Sequence, residues 1–208
     1  LPPDNTIENT TIETYINKLY ISTIGREPIE TEFTANFTTL READVSQESR
    51  EIVIDGILNK DEYAGNLFKL ESEHLLLGLD TADINQYIHV LTVLLETAHG
   101  LDSIYFYENR ERMVRLKEVL PGLGSGTISN MEMHKRMVNN NMYDEINMGT
   151  ENFVISMFQS FFGRYPTTSE LENGALMVND NNASVFFIAG NGKEDFINIF
   201  IESDEYYT

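Results

Sequence analysis

The sequence predicts an all-α protein: a multi-helix orthogonal bundle with two related helical units and a helical middle segment. Three observations predict it. Apolar residues recur at helical spacing along most of the chain. Alternation of period two is nearly absent. One helix-corner motif occurs twice, displaced by 138 residues.

The elements follow in order. Leu1-Pro2-Pro3-Asp4-Asn5-Thr6 opens a polar lead-in over residues 1–10. Ile12, Ile16, Leu19 and Tyr20 mark the first helical face, with Tyr15 beside it. Ile84, Ile88, Leu91, Leu95 and Ala98 give the cleanest i, i+4, i+7 stripe. Phe153, Met157 and Phe158 form another, continued by Phe161 and Phe162, and Phe196, Ile197, Phe200 and Ile201 close the chain with a short one. Ser184-Val185-Phe186-Phe187-Ile188 is the best strand-like run, too isolated to imply a sheet. Gly and Pro separate the helices, and residues 121–126, Pro-Gly-Leu-Gly-Ser-Gly, read as a flexible loop. About nine or ten helices are expected. They group as a first helical unit over 11–80, a middle segment over 81–148 and a second unit over 149–208.

The repeat carries the most information. Its first copy runs from Tyr15 through Ile24-Gly25-Arg26-Glu27-Pro28 to Glu32-Phe33. The second runs from Phe153 through Phe162-Gly163-Arg164-Tyr165-Pro166 to Glu170-Leu171. The endings, Ile57 to Tyr63 and Phe200 to Tyr206, are displaced by 143 residues, so the second copy holds five more, expected between Asn179 and Gly192. Met137-Val138-Asn139-Asn140-Asn141-Met142-Tyr143 reads as a degraded third ending.

The chemistry of the motif is local. Gly25 and Gly163 suit the left-handed position that ends a helix. Pro28 and Pro166 stop it resuming and suit the start of the next helix. Thr167 and Glu170 have capping-box spacing, whereas Ile29 and Glu32 lack the hydroxyl. Arg26 and Arg164 are expected to tie helix-terminal carbonyls to a carboxylate.

An aromatic helix ending in Gly-Arg-x-Pro, then a Glu-Phe or Glu-Leu helix, then a closing Ser-x-Glu-Tyr, with Asn59-Lys60-Asp61 in place of the Ser in the first copy, resembles a bacterial helical domain of unknown function. That domain is found in secreted and surface-layer proteins, and the pattern is also similar to the phycobilisome linker domain. The likeness covers residues 12–63 and 150–207. It implies a helical, non-catalytic scaffold or adhesion role.

Composition narrows the partners. Lys and Arg number 14 against 34 Asp and Glu, a net charge of −20. Such a surface repels nucleic acid and anionic lipid. With no Cys, disulfides and thiol ligation are excluded. No apolar run approaches the roughly 20 residues of a membrane span. Leu1 in first place points to a processed start, and a secreted, periplasmic or cell-surface location is expected, with room for a lipid anchor upstream.

No catalytic, cofactor or metal residue set emerges. His74, His89, His99 and His134 lack metal-site spacing. Residues 122–127 lack the Lys of a phosphate loop. Asn179-Asp180-Asn181-Asn182 offers oxygens without the EF-hand order. Phe161-Phe162 and Tyr206-Tyr207 are candidate aromatic anchors. The expected function is a non-enzymatic interaction or scaffold module engaging protein or surface glycan. Two alternatives are a hydrolase of glycan or peptidoglycan using a carboxylate pair, and a small-ligand or Ca²⁺ binding module.

Overall fold

A computed structural model describes residues 7–207 of the 208. Residues 1–6, most of the expected lead-in, lie outside the described residues. The described chain is an all-α, multi-helix bundle with one small hairpin. In order, it forms α1 (Asn9–Ile24), α2 (Glu30–Glu42), α3 (Gln47–Leu58), α4 (Asp61–Leu75), α5 (Thr81–Thr97) and α6 (Leu101–Lys117). There follow α7 (Val119–Gly124), α8 (Asn130–Val138), α9 (Asn141–Ile146), α10 (Thr150–Phe162) and α11 (Thr168–Val178). The strands β1 (Ala183–Val185) and β2 (Ile188–Gly190), α12 (Lys193–Ile201) and a 3₁₀ turn (Asp204–Tyr207) complete it. These twelve α-helices exceed the nine or ten expected, because α7 and α9 are single short turns of six residues with no apolar period to announce them.

The chain divides after Lys69 into two compact units. In the first, α1 buries Ile12, Ile16, Tyr20 and Ile24, the i, i+4 face that the sequence displays. Leu40 of α2 and Val53 and Ile57 of α3 close this core. Tyr20 is fully buried, and its hydroxyl accepts a hydrogen bond from Asn36 Nδ2 at 3.0 Å, so its polar end costs little.

In the second unit, α5 packs principally on α6 across a three-residue link. The C-terminal part of α6 buries Asn109, Met113 and Leu116. Helix α8 packs on α6, α7, α9 and α12, so the middle segment and the second repeat copy share one core. Phe200 is the hub of that core. It stacks on Phe162 at 4.2 Å and meets Phe158 edge-on at 5.0 Å, with Phe196, Phe186 and Phe161 also within 6.2 Å.

The three endings share a geometry. Helix α3 ends at Leu58 and α4 starts at Asp61; α8 ends at Val138 and α9 starts at Asn141; α12 ends at Ile201 and the 3₁₀ turn starts at Asp204. Each break is two residues long. In the middle ending, buried Asn140 holds the break: its Oδ1 accepts from Tyr143 N, and its Nδ2 donates to the Arg136 and Met137 carbonyls.

Two local expectations need correction. Residues 121–124 are not loop but lie in α7. Pro121 sits in the first turn, where its missing N–H loses no helical bond. Gly122 is buried and has to be glycine, because a Cβ there would come within 2.4 Å of Ile128 Cδ1; its carbonyl accepts from Thr127 and Ile128 N. Residues 184–188 are not one strand. The chain reverses at Phe186 and Phe187, both at positive φ (51° and 65°), between β1 and β2. That is the backbone of a two-residue hairpin turn, usually left to Asn and Gly. The hairpin lies within the 179–192 stretch where the five extra residues are expected.

Candidate functional site

The two Gly-Arg-x-Pro corners are the best-defined polar constructions in the molecule. Helix α1 ends with Gly25 at φ 81°, and its N–H donates back to the Tyr20 and Ile21 carbonyls. Helix α10 ends with Gly163 at φ 64°. Pro28 and Pro166 each precede the N-cap residue of the next helix, Ile29 and Thr167, rather than occupying its first turn. They keep Glu27 and Tyr165 out of the helical region, so the corner stays open around the arginine.

Each arginine then uses all five of its N–H donors. Arg26 Nε donates to Glu62 Oε1 and Nη2 to Glu62 Oε2, both at 2.8 Å. Nη1 and Nη2 reach the two Glu32 oxygens at 2.8 and 3.0 Å, and Nη1 also donates to the Glu27 carbonyl at 2.9 Å. Arg164 repeats this bond for bond: two to Glu205 at 2.5 and 2.8 Å, two to Glu170 at 2.9 and 2.8 Å, and one to the Tyr165 carbonyl at 3.2 Å. The planar fork fits two carboxylates side by side, which a lysine cannot do. Both guanidinium groups also lie over an aromatic ring of the preceding helix, Arg26 over Tyr20 at 5.8 Å and Arg164 over Phe158 at 4.7 Å.

Two details differ from the sequence reading. The carbonyl bound is in the turn, not at the helix C-terminus. The arginine also holds two carboxylates rather than one. The partners missed were Glu62 and Glu205, 36 and 41 residues away. The repeat contained the signal, since these are the acids at matching positions in both endings. The middle ending has Met142 there and no Gly-Arg corner, so both halves of the lock are absent together.

Glu32 and Glu170 also accept from the backbone N–H of Ile29 and Thr167 at 3.0 and 2.7 Å. Thr167 completes the capping box by accepting from Glu170 N, whereas Ile29 has no oxygen to do so. The Arg26 hydrogen bonds, helped by Lys60, hold the Glu32 carboxyl at about 2 instead of 4.5. Arg164 does the same for Glu170, also at about 2. A glycosidase acid needs its carboxyl raised towards neutrality. Glu32 and Glu170 are held the other way, as ionised partners of their arginines.

The glycines can be tested directly. Gly163→Ala is expected to cost about 1 kcal/mol, the strain of a left-handed Cβ. Gly25→Ala is expected to cost roughly 1 kcal/mol more, because its Cβ would lie 2.7 Å from Asn66 Oδ1, whose amide donates to the Thr23 carbonyl. Nothing lies within 4 Å of a Cβ at Gly163. Urea unfolding of the two variants checks the order.

The other candidates resolve plainly. No group of three or more metal-ligating side chains occurs among the described residues. His74, His89 and His99 are exposed. His134 is not: its Nδ1 lies 2.6 Å from Tyr206 Oη and its Nε2 3.2 Å from Glu71 Oε2, with Phe161 edge-on. Burial pushes the Tyr206 hydroxyl up to about 12, so this cluster pins the C-terminal turn rather than offering a phenolate. In the 179–182 loop, Asn179 Oδ1 accepts from Thr150 and Asn182 Oδ1 from Asn191. Those two exposed oxygens are taken by the fold's own donors. Phe161 and Phe162 belong to the core cluster, and Tyr207 donates to Met131 Sδ. The fully exposed aromatic is instead Phe187, at the hairpin tip.

One surface stands apart. The buried face of α6 (Asn109, Met113, Leu116) continues at helical spacing through Tyr105 and Leu101, which are 60% and 83% exposed. Ile104 and Tyr107 on α6, and Val90, Val93 and Leu94 on α5, are exposed too. From 81 to 117 the chain carries four Lys and Arg against five Asp and Glu, a net −1 out of −20.

Compared with family models, curated proteins and solved structures, the chain matches none. No helix among the described residues is long and apolar enough to cross a membrane.

Proposed function

We propose that this chain is a non-enzymatic interaction or scaffold module of a bacterial cell envelope or secreted assembly, and that it docks a protein through the apolar side of α5 and α6. The observation that carries this reading is the α6 stripe, buried at one end of the helix and uncovered at the other. An uncovered stripe of this kind marks an interaction surface. The partner that fits has an apolar centre and a basic rim. The only formal charges between Ile84 and Tyr107 are the acids Glu96 and Asp102, and a partner rim of Lys and Arg complements both them and the −20 background. A second copy of the chain would bring −20 against −20. The envelope location rests on the Gly-Arg-x-Pro resemblance, and the two corners, whose carboxylates are locked by arginine, favour a mechanical role over catalysis.

The test compares the wild-type chain with a Leu101→Ser, Ile104→Ser, Tyr105→Ser variant in quantitative binding to fractionated bacterial envelope proteins. The expected result is a saturable partner with a basic interface, weakened at least roughly tenfold by the variant and by added salt. Equal binding by both proteins overturns the docking surface. Sedimentation showing a wild-type dimer and a monomeric variant replaces the partner by a second copy.

A further inference from the structure

Cations are scarce in this chain, and acids outnumber them by 34 to 14. Each half-buried Lys or Arg is therefore expected to hold a carboxylate. Among the described residues, Arg26, Lys60, Arg110, Lys135, Arg136, Arg164 and Lys193 do so. Arg112 is also half-buried, and it makes no ion pair with another described residue.

Arg112 lines a cleft between α6, α8 and α12, with Arg115, Lys135 and Arg136 beside it. Four of the 14 cations thus converge on one depression of an acidic protein. Lys193, ion-paired with Asp144, lies outside the lining but feels it: burial lowers its ammonium pKa, Asp144 raises it, and the charge of Arg112 lowers it. Two carboxylates share the lining, Glu132 and Glu194. Glu132 is already bound to Arg136 Nε at 2.6 Å. Arg136 Nη1 is held by the Arg115 carbonyl at 3.0 Å and Glu118 Oε2 at 3.5 Å, and Lys135 by Glu202 at 2.6 Å. The walls are therefore braced, while the Arg112 and Arg115 guanidinium groups keep their donors open. Asn139 and Asn198 add neutral amides. Lys135 and Arg136 are neutralised by their own carboxylates, whereas Arg112 and Arg115 hold none among the described residues, and an anion between those two would relieve their repulsion.

We propose that the cleft formed by Arg112, Arg115, Lys135 and Arg136 binds a small tetrahedral oxyanion of the phosphate or sulfate type. Guanidinium forks match such oxygens in pairs. The background charge of −20 opposes approach from a distance. That opposition is screened beyond roughly 8–10 Å at physiological salt, and inside the cleft the anion meets the open donors of Arg112 and Arg115.

The test is calorimetric titration of inorganic phosphate into the full chain at low ionic strength, with NaCl at matched ionic strength and acetate as separate titrants. The expected result is saturable one-to-one phosphate binding that Arg112→Gln weakens about tenfold or more, the loss of one charge-assisted hydrogen-bonded contact. Lys18→Gln, on the exposed side of α1, should leave it unchanged. Arg115→Gln, at an exposed position, repeats the test if Arg112→Gln fails to fold. Three outcomes overturn the proposal: no saturation by about 10 mM phosphate, an equal response to NaCl, or wild-type affinity in whichever of the two variants folds. Tighter acetate than phosphate binding overturns the tetrahedral assignment.

Discussion

Phe200→Ala is expected to lower the unfolding free energy of the second unit by about 4 kcal/mol. Phe200 is fully buried, and removing its ring leaves a cavity between α10, α12 and the β hairpin. The loss exceeds transfer free energy alone. The stacked contact with Phe162 and the edge contact with Phe158 each add on the order of 0.5–1.5 kcal/mol. Phe200→Leu keeps most of the volume and should cost about 1–2 kcal/mol. The damage should stay within its unit. Amide exchange is expected to accelerate in α10, α11 and α12 and to stay slow in α1, α2 and α3, whose core of Ile16, Tyr20 and Ile57 is separate. Uniform acceleration through both units would contradict the two-core description.

Arg164→Ala is expected to cost about 2 kcal/mol at pH 7, because it removes the guanidinium that Glu170 and Glu205 share. The corner is partly open to solvent, which moderates the figure. Arg164→Lys should recover less than half, since one ammonium cannot serve four carboxylate oxygens and the Tyr165 carbonyl. The pH dependence separates this from a simple packing loss. Glu170 titrates at about 2 in the folded protein and near 4.5 as an ordinary carboxyl. A depressed folded pKa means the unfolded chain binds the proton first as pH falls. The stabilisation is complete above about 4.5 and is lost towards about 2. The gap between wild type and Arg164→Ala should therefore be widest at neutral pH and shrink steadily below pH 4.5. Discharge of the −20 surface affects both proteins alike and cancels in the difference. A gap that is constant with pH would remove the ion lock as its cause. Arg26→Ala, at the twin corner with Glu32 also at about 2, is expected to behave in the same direction.

Much of this was readable before any tertiary contact was known. The faces of α1, α5, α10 and α12 follow from apolar spacing. The left-handed ends at Gly25 and Gly163 follow from residue type. Duplication itself announced that Arg26 and Arg164 do the same job. What failed was reading short signals in isolation. Val185-Phe186-Phe187-Ile188 has the composition of a strand, and nothing local tells it to reverse. It reverses because Phe186 is drawn onto the ring cluster around Phe200, which leaves Phe187 in solvent. Pro121 and the glycines around it look like a loop, yet Gly122 is the space that Ile128 needs.

The sequence by itself determined the helical class, the charge and the place of each arginine, because helix periodicity, glycine ends and composition are set within a few neighbouring residues. The tertiary structure alone decided which of 34 acids meet those arginines, that His134 lies between Glu71 and Tyr206, that the α6 stripe is uncovered at Leu101 and Tyr105, and that Arg112 meets no carboxylate among the described residues. The physical reason is range. Spacing encodes contacts one turn away, whereas ion pairing and burial depend on which surfaces the packed core brings together.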